Sequence, residues 1–490
     1  MHVLIATSEM VPFIKTGGLA DVTGALPQAL SALGLRVTAV LPLYNLIDRE
    51  AAGALPHGQP FKVELGHRVV KAQAWRSERP WGDVFFIEQA EYFDRGHLYG
   101  PPGGEDPDNA ERFAFFSRAI PALCRAHHLI PDVIHVHDWQ AALVPVYLKE
   151  TADGAAPLEH TRTVLTIHNM AYQGNFDITA VNVLGLPPRV LGIEGLEFHG
   201  GVNFLKGGIL FADSVTTVSP TYAREIREPE NGWGLDGVLR VRDEHLTGIV
   251  NGIDTCEWDP HTDPHLAAPF SADNTSGRVA NREAVQKALG LDTGDDPLIG
   301  FVGRVTEQKG LDLLLGILPD LMARGVQLAL LGSGDPHMVD RLRQAAHDHP
   351  GRVGLATGFD EPLARRIYGG SDLFVMPSRF EPCGLAQLIA MRYGAPPVVH
   401  RVGGLADTVT AWESDPDTAT GFVFQEARPE ALLSAIDRAL SVWKDKKEFR
   451  ALQQNGMRRD SSWDASAAAY AALYKRLPSL TPLHKRRITG

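Results

Sequence analysis

Apolar residues along the chain gather in short, uninterrupted runs rather than in alternation. Runs rich in β-branched side chains, each closed by Gly, Pro or polar residues, occupy 2–7, 36–41, 133–137, 163–168 and 214–219, and again 298–303, 326–331, 353–357, 373–377, 397–402 and 421–424. Continuous runs of this length are expected of strands buried on both faces of a parallel sheet. Segments of helical period lie between many of them, among them 311–323 and 362–369. Strand and helix in alternation predict an α/β architecture with ligand sites beyond the carboxyl ends of the strands. One open sheet of so many strands would be unusual. The pattern therefore predicts two sheets, hence two Rossmann-like domains.

The boundary is expected between 250 and 296, where a strand-like segment at 248–254 is followed by Pro-, Asp- and His-rich sequence, a helix-like stretch at 281–291 and a fresh strand after Pro297. This places an N-terminal domain at 1–250 and a C-terminal domain at 251–461. A last helix is predicted at 462–477, with Ser462 as its cap, Lys475 and Arg476 suiting its dipole, and Pro478 as its stop. The basic tail LHKRRITG reads as solvated.

Composition narrows the chemistry. The 490 residues, 44% hydrophobic and 22% charged, have material for more than one core. A formal net charge of −12 argues against binding nucleic acid or anionic membrane over the whole surface, but leaves room for a local phosphate pocket. Three distant cysteines, Cys124, Cys256 and Cys383, offer neither a disulfide framework nor a Cys-x-x-Cys metal site. No apolar run approaches the roughly 18 residues of a membrane span. The start, MHVLIATSEM, carries neither a basic n-region nor a cleavage site. A soluble protein of a reducing compartment, the cytoplasm, is expected.

The heptapeptide TGGLADV at 16–22 returns as VGGLADT at 402–408, each time between a strand and a helix. Two equivalent loops, one per domain and facing across a cleft, are expected. Lys15, Gly17 and Gly18 combine a mobile cation, close backbone approach and a helix start, which suits a phosphate or a sugar. Gly303, Arg304 and Lys309 lie between a strand and a helix, so the two cations can converge on one diphosphate without a metal ion. Gly332 and Gly334 can bring amides near a ligand, but the dinucleotide fingerprint fails because its third glycine is His337. Glu381 follows another strand, where a carboxylate can accept from sugar hydroxyls. Cys383 reads as a packing residue lining that site rather than as a nucleophile.

His135 and His137 share a strand face, yet no third ligand follows at an informative spacing, so no metal is expected. Asp138 and His168 fall at two strand ends, where polar groups can grip a sugar ring, and Trp139 offers an apolar face for a pyranose. The Asp-x-Asp pairs at Asp106–Asp108 and Asp415–Asp417 sit in turn-like sequence and read as accidental.

Together these residues resemble the bacterial glycogen synthase and plant starch synthase family, glycosyltransferase family five. The motifs run in order along nearly the whole chain: SEMVPFIKTGGLADVTGALP, HVHDWQAALVP, IHNMAYQG, FVGRVTEQKGLDLL, LGSGDP and SRFEPCGLAQLIAMRYGAPPVV. The resemblance implies the GT-B fold, with two Rossmann-like domains facing across a deep cleft and the C-terminal helix returning to the N-terminal domain. It implies retaining transfer of glucose from ADP-glucose to glycogen or a maltooligosaccharide, with no cofactor, no nucleic acid and no membrane. Lys15, Gly17 and Gly18 would contact the donor, and Arg304 and Lys309, with Gly303, Gly332 and Gly334 nearby, its diphosphate. Glu381 would lie near the donor glucose with Cys383, Gly384 and Leu385 on the same loop. Asp138, Trp139, His168 and Asn169 would surround the transferred glucose. The wider retaining group has a second Glu eight residues after the first. Here that position is Ile389, so no second acid is expected there. Two other classes compatible with the fold are a synthase with another donor or acceptor and a catalytically inactive glucan-binding protein.

Overall fold

The computed structural model describes residues 1–101 and 103–477, so Pro478 and the basic tail lie outside the described residues. The chain forms two compact units. One comprises 1–218, 223–249 and the C-terminal stretch from Trp463; the other comprises 219–222 and 250–462. Among the described residues no helix is long and apolar enough to cross a membrane.

The strands of the first unit, in chain order, are β1 (His2–Ala6), β2 (Arg36–Pro42), β3 (Leu55–Leu65), β4 (Arg68–Arg79), β5 (Gly82–Glu88), β6 (Val133–His137), β7 (Arg162–Ile167), β8 (Asn175–Phe176), β9 (Glu197–Phe198), β10 (Gly201–Asn203), β11 (Ser214–Thr217) and β12 (Leu246–Gly248). Nine of them make one sheet in the order β12-β11-β7-β6-β1-β2-β5-β4-β3, and the other three form a small sheet. The large sheet is parallel except for the β3–β4 and β4–β5 pairings. Its central strands bury every residue, as their unbroken apolar runs require. The antiparallel edge follows a different pattern. Phe61, Val63 and Leu65 alternate with exposed or polar positions on β3, as do Val70, Ala72 and Ala74 on β4. That alternation, rather than a continuous run, is the signature of a sheet with one wet face.

The strands of the second unit are β13 (Leu298–Val302), β14 (Gln327–Gly332), β15 (Val353–Thr357), β16 (Leu373–Met376), β17 (Pro397–His400) and β18 (Phe422–Phe424). They form one parallel sheet in the order β15-β14-β13-β16-β17-β18. In each unit the chain starts near the middle, builds outward on one side, then jumps to the other. The jump lies between β1 and β6 in the first sheet and between β13 and β16 in the second. These are topological switch points, where adjacent strand ends diverge and leave a crevice for a ligand.

The helix Asp464–Arg476 packs its Ala467, Tyr470, Ala471 and Tyr474 into one apolar cluster with Val3, Ile5, Val22, Leu26 and Leu30 of the first unit. Ser462 lies two positions before its first residue, and the N-cap position is Trp463. The Ser462 amide is taken by Asp460 Oδ1 at 2.9 Å. The single helix expected at 311–323 is two, Leu311–Gly316 and Leu318–Ala323, parted at Ile317 because Gly316 is a poor helix former and Pro319 suits a first turn. The strand expected at 248–254 ends at Gly248 and continues as a loop.

Candidate active site

In the second unit the turns after the neighbouring strands β13 and β16 are stitched together. The Arg379 amide donates to the Gln308 carbonyl (2.8 Å), and Gln308 Nε2 donates to the Phe380 carbonyl (3.1 Å). The Arg379 guanidinium forks onto Asp312 at 2.8 and 2.7 Å. Gly310, at φ +64°, passes so near Pro377 that a Cβ would lie 2.1 Å from its carbonyl oxygen. This clamp brings Lys309 Nζ within 2.6 Å of Glu381 Oε2, and Ser378 Oγ donates to the same oxygen at 2.9 Å. Lys309 and Glu381 therefore form a largely buried ion pair at the switch point. Arg304 stands exposed just past β13, beside the half-buried Gly303.

The remaining motif residues explain themselves by packing. A Cβ on Gly332 would meet the Gly303 carbonyl oxygen at 2.1 Å, and one on Gly334 the Val305 carbonyl oxygen at 2.2 Å. These glycines thus let the turn after β14 lie flat against the turn after β13. The second GGLAD repeat does the same for the Glu381 loop. Gly403 (φ +41°) and Gly404 would place their Cβ atoms 1.9 Å from the Glu381 carbonyl oxygen and 2.0 Å from that of Cys383. Gln387 Nε2 ties together the carbonyls of Cys383 (3.0 Å) and Gly384 (2.8 Å) and Thr408 Oγ1 (3.0 Å). Gly384 sits at φ +72°, and half-buried Leu385 precedes the helix Ala386–Arg392. Burial pushes the Cys383 thiol up to about 12, which rules it out as a thiolate nucleophile near neutrality.

Sequence reasoning passed over two residues here. Asn251 is buried against Cys383, and its Oδ1 has no partner among the described residues, so an acceptor is left for a ligand. Phe359, on the loop after β15, is 83% exposed, and the adjacent Gly358 amide donates to the Gly332 carbonyl at 3.3 Å. An exposed aromatic ring at a strand's carboxyl end was the available signal.

In the first unit the loop after β1 carries Lys15, Gly17 and Gly18, and Gly18 opens the helix Gly18–Ala32. Lys15 Nζ rests on Asp21 Oδ1 at 2.6 Å. Asp138, just past β6, holds the left-handed conformation (φ +55°), and its Oδ1 accepts the His168 amide at 2.7 Å. His137 Nδ1 and His168 Nε2 are 2.9 Å apart, which joins the ends of β6 and β7. Asn169 turns its Oδ1 back onto the Ala171 amide (3.0 Å). Burial pushes the Asp138 carboxyl up to about 7; the His168 and Asn169 amides oppose the shift and the nearby Glu9 charge adds to it. Burial likewise depresses His135 and His168, each to about 3, so both rings are neutral.

The structure corrects one expectation and supplies a reason for another. Trp139 is not an open platform. Its ring meets Phe113, Phe176 and Phe204 at centroid distances of 4.9, 5.6 and 6.4 Å, and a Cβ on Gly174 would lie 2.5 Å from it. Trp139 is 7% exposed and anchors the IHNMAYQG loop from beneath. Asp106 is no accident of sequence. It accepts from His97, Arg95 and the fully buried Arg112, so it is a structural ion cluster. His135 spends both ring nitrogens on Tyr474 (2.8 Å) and Thr166 (2.6 Å). Among the described residues no three His, Cys, Asp or Glu side chains are grouped to hold a metal ion.

Two Rossmann-like α/β units, each with charged and polar side chains gathered at its switch point, define a glycosyltransferase of the GT-B type. Residues 2–241 match the family model of the starch synthase catalytic domain, and residues 282–457 that of group 1 glycosyl transferases. The glycogen synthase of Syntrophotalea carbinolica is 45% identical over 481 residues, 98% of this chain and 99% of that protein. That of Anaeromyxobacter dehalogenans strain 2CP-C is 48% identical over 479 residues, 97% and 100% of the two chains. The catalytic domain of starch synthase IV from Arabidopsis thaliana, solved with ADP and acarbose, superposes with a TM-score of 0.89 at 36% identity, covering 97% of this chain and 99% of that one. The chain belongs to the glycogen synthase family. A sucrose-phosphate synthase from Thermosynechococcus elongatus, at 20% identity and TM-score 0.60, shares the fold alone.

Proposed function

We propose that the protein is a cytoplasmic glycogen synthase that transfers glucose from ADP-glucose to the non-reducing 4-hydroxyl of an α-1,4-glucan with retention of configuration. The observation that carries this reading is the Lys309–Glu381 pair at the switch point of the second unit. A diphosphate beside Lys309 and Arg304 would meet two cations, as departure of a nucleoside diphosphate demands. Released from Lys309, the Glu381 carboxylate can accept from glucose hydroxyls. Phe359 offers a ring for the base, and Asn251 Oδ1 an acceptor for a hydroxyl.

In the first unit Asp138 sets the backbone at His168, whose carbonyl can face the oxocarbenium-like carbon. As the bond from the anomeric carbon to the phosphate oxygen breaks, the acceptor 4-hydroxyl attacks from the same face and passes its proton to the departing phosphate oxygen. Exclusion of water protects the donor from hydrolysis. The test is incubation with glycogen and either ADP-glucose or UDP-glucose in the presence of EDTA. Elongation with ADP-glucose is expected. Elongation only with UDP-glucose would move the protein to another donor class, and glucan binding without elongation would make it a scaffold.

Asp138 gives this reading a pH signature. Its folded carboxyl titrates near 7, above the ordinary 3.8, so the native state keeps a proton that the unfolded chain sheds. Stability from this group is full below about pH 4 and is lost as pH rises toward 7. Activity should move the opposite way, since the ionised carboxylate accepts the His168 and Asn169 amides more strongly. Turnover is expected to rise through about pH 7, and both trends are expected to vanish in Asp138→Asn. Rate profiles and urea midpoints of the two proteins between pH 5 and 8 check this.

A further inference from the structure

Glu9 is buried, lies outside every role assigned above, and collects four donors. Its Oε2 accepts the Thr16 amide at 2.5 Å and the Gly17 amide at 3.3 Å. Its Oε1 accepts Thr16 Oγ1 and the Tyr99 hydroxyl, each at 2.6 Å. Tyr99 is in turn 2.8 Å from Ser8 Oγ. Three of the four donors belong to the loop that presents Lys15, Gly17 and Gly18, and that loop is otherwise exposed at Lys15, Thr16 and Gly18. An exposed loop following a strand is ordinarily mobile. Here one carboxylate fixes two successive amides and a hydroxyl, while Tyr99 braces it from about 90 residues along the chain. The same contacts occupy the Thr16 and Gly17 amides, so an anion at this loop would be left Lys15 and the first amides of the helix from Gly18.

We propose that Glu9 is a positioning residue that holds the Lys15–Gly18 loop in the shape that receives the nucleotide-sugar donor. This rests on the reading of that loop as a donor contact. A positioning role through the loop alone would change donor binding. A merely structural loss would lower stability without separating the donor KM from the glucan KM.

The experiment is steady-state kinetics of the full chain as Glu9→Gln, an isostere whose amide nitrogen cannot accept from these donors. The expected result is a donor KM raised about tenfold with a glucan KM within twofold of wild type. An unchanged donor KM in the folded variant overturns the proposal. If Glu9→Gln does not fold, Tyr99→Phe removes one of the four donors while keeping the ring. A donor KM raised about threefold with the glucan KM constant supports the proposal, and an unchanged donor KM refutes it. Lys15→Ala separates the two layers. If it leaves the donor KM unchanged, the reading of the loop as a donor contact fails, whatever Glu9 does.

Discussion

Glu381→Gln is expected to lower kcat by about 10²–10³-fold, the usual loss on removing one preorganised group from a charge-stabilising site. Lys309→Ala is expected to lose as much turnover but to differ in stability. Glu381 Oε2 would retain Ser378 and lose the Lys309 cation, leaving a carboxylate with 7% side-chain exposure without that counter-charge. Breaking one side of a buried pair costs about 3 kcal/mol or more, whereas removing both charges is often close to neutral. Adding Glu381→Gln to Lys309→Ala is therefore expected to restore most of the lost stability and none of the activity. Urea midpoints and kcat for the two single variants and the double measure the coupling. Near-normal turnover in either single variant would end the assignment of this pair to catalysis.

The second large effect lies in the repeat. Gly403→Ala and Gly404→Ala each drive a methyl group into a backbone carbonyl of the Glu381 loop, at 1.9 and 2.0 Å, where no side chain can yield. Gly403 also holds a φ of +41°, which alanine resists. The loop must move, and a displacement of about 1 Å at a reacting group is enough for a 10²-fold loss. Gly17→Ala in the sister repeat is the contrast. That glycine is extended at φ −160° and has nothing within 4 Å of a built Cβ. Its melting temperature is expected to stay at the wild-type value while those of Gly403→Ala and Gly404→Ala fall. Equal melting temperatures for all three would show that the two GGLAD turns are interchangeable.

The central strands of both sheets were legible because burial on both faces leaves unbroken apolar runs. The β3–β4 edge was passed over because its signal is alternation, present in Phe61, Val63 and Leu65 but weaker than a run. Motif spacing marked Lys309 and Glu381 separately. Their ion pair depends on the main-chain bond from Arg379 to Gln308 and the Gln308 side-chain bond to the Phe380 carbonyl, which no local pattern announces. Trp139 looked like a platform because its neighbours in sequence are polar. The rings that cover it, Phe113, Phe176 and Phe204, come from three other segments. Glu9 is a single acid six residues before Lys15, and only the fold shows four donors converging on it.

The first unit is discontinuous in sequence. Tyr470 and Tyr474 are fully or almost fully buried in the same cluster as Val3, Val22 and Leu26, and Tyr474 completes the hydrogen bonding of His135. As the chain leaves the ribosome, the apolar patch of Val3, Val22 and Leu26 waits for its cover until residues 464–476 have been made. Residues 250–462 form a contiguous stretch whose six-stranded sheet is by then wholly available. That patch, begun before the second unit is made, is covered only after it, so its apolar side chains must be tolerated while residues 250–462 are synthesised.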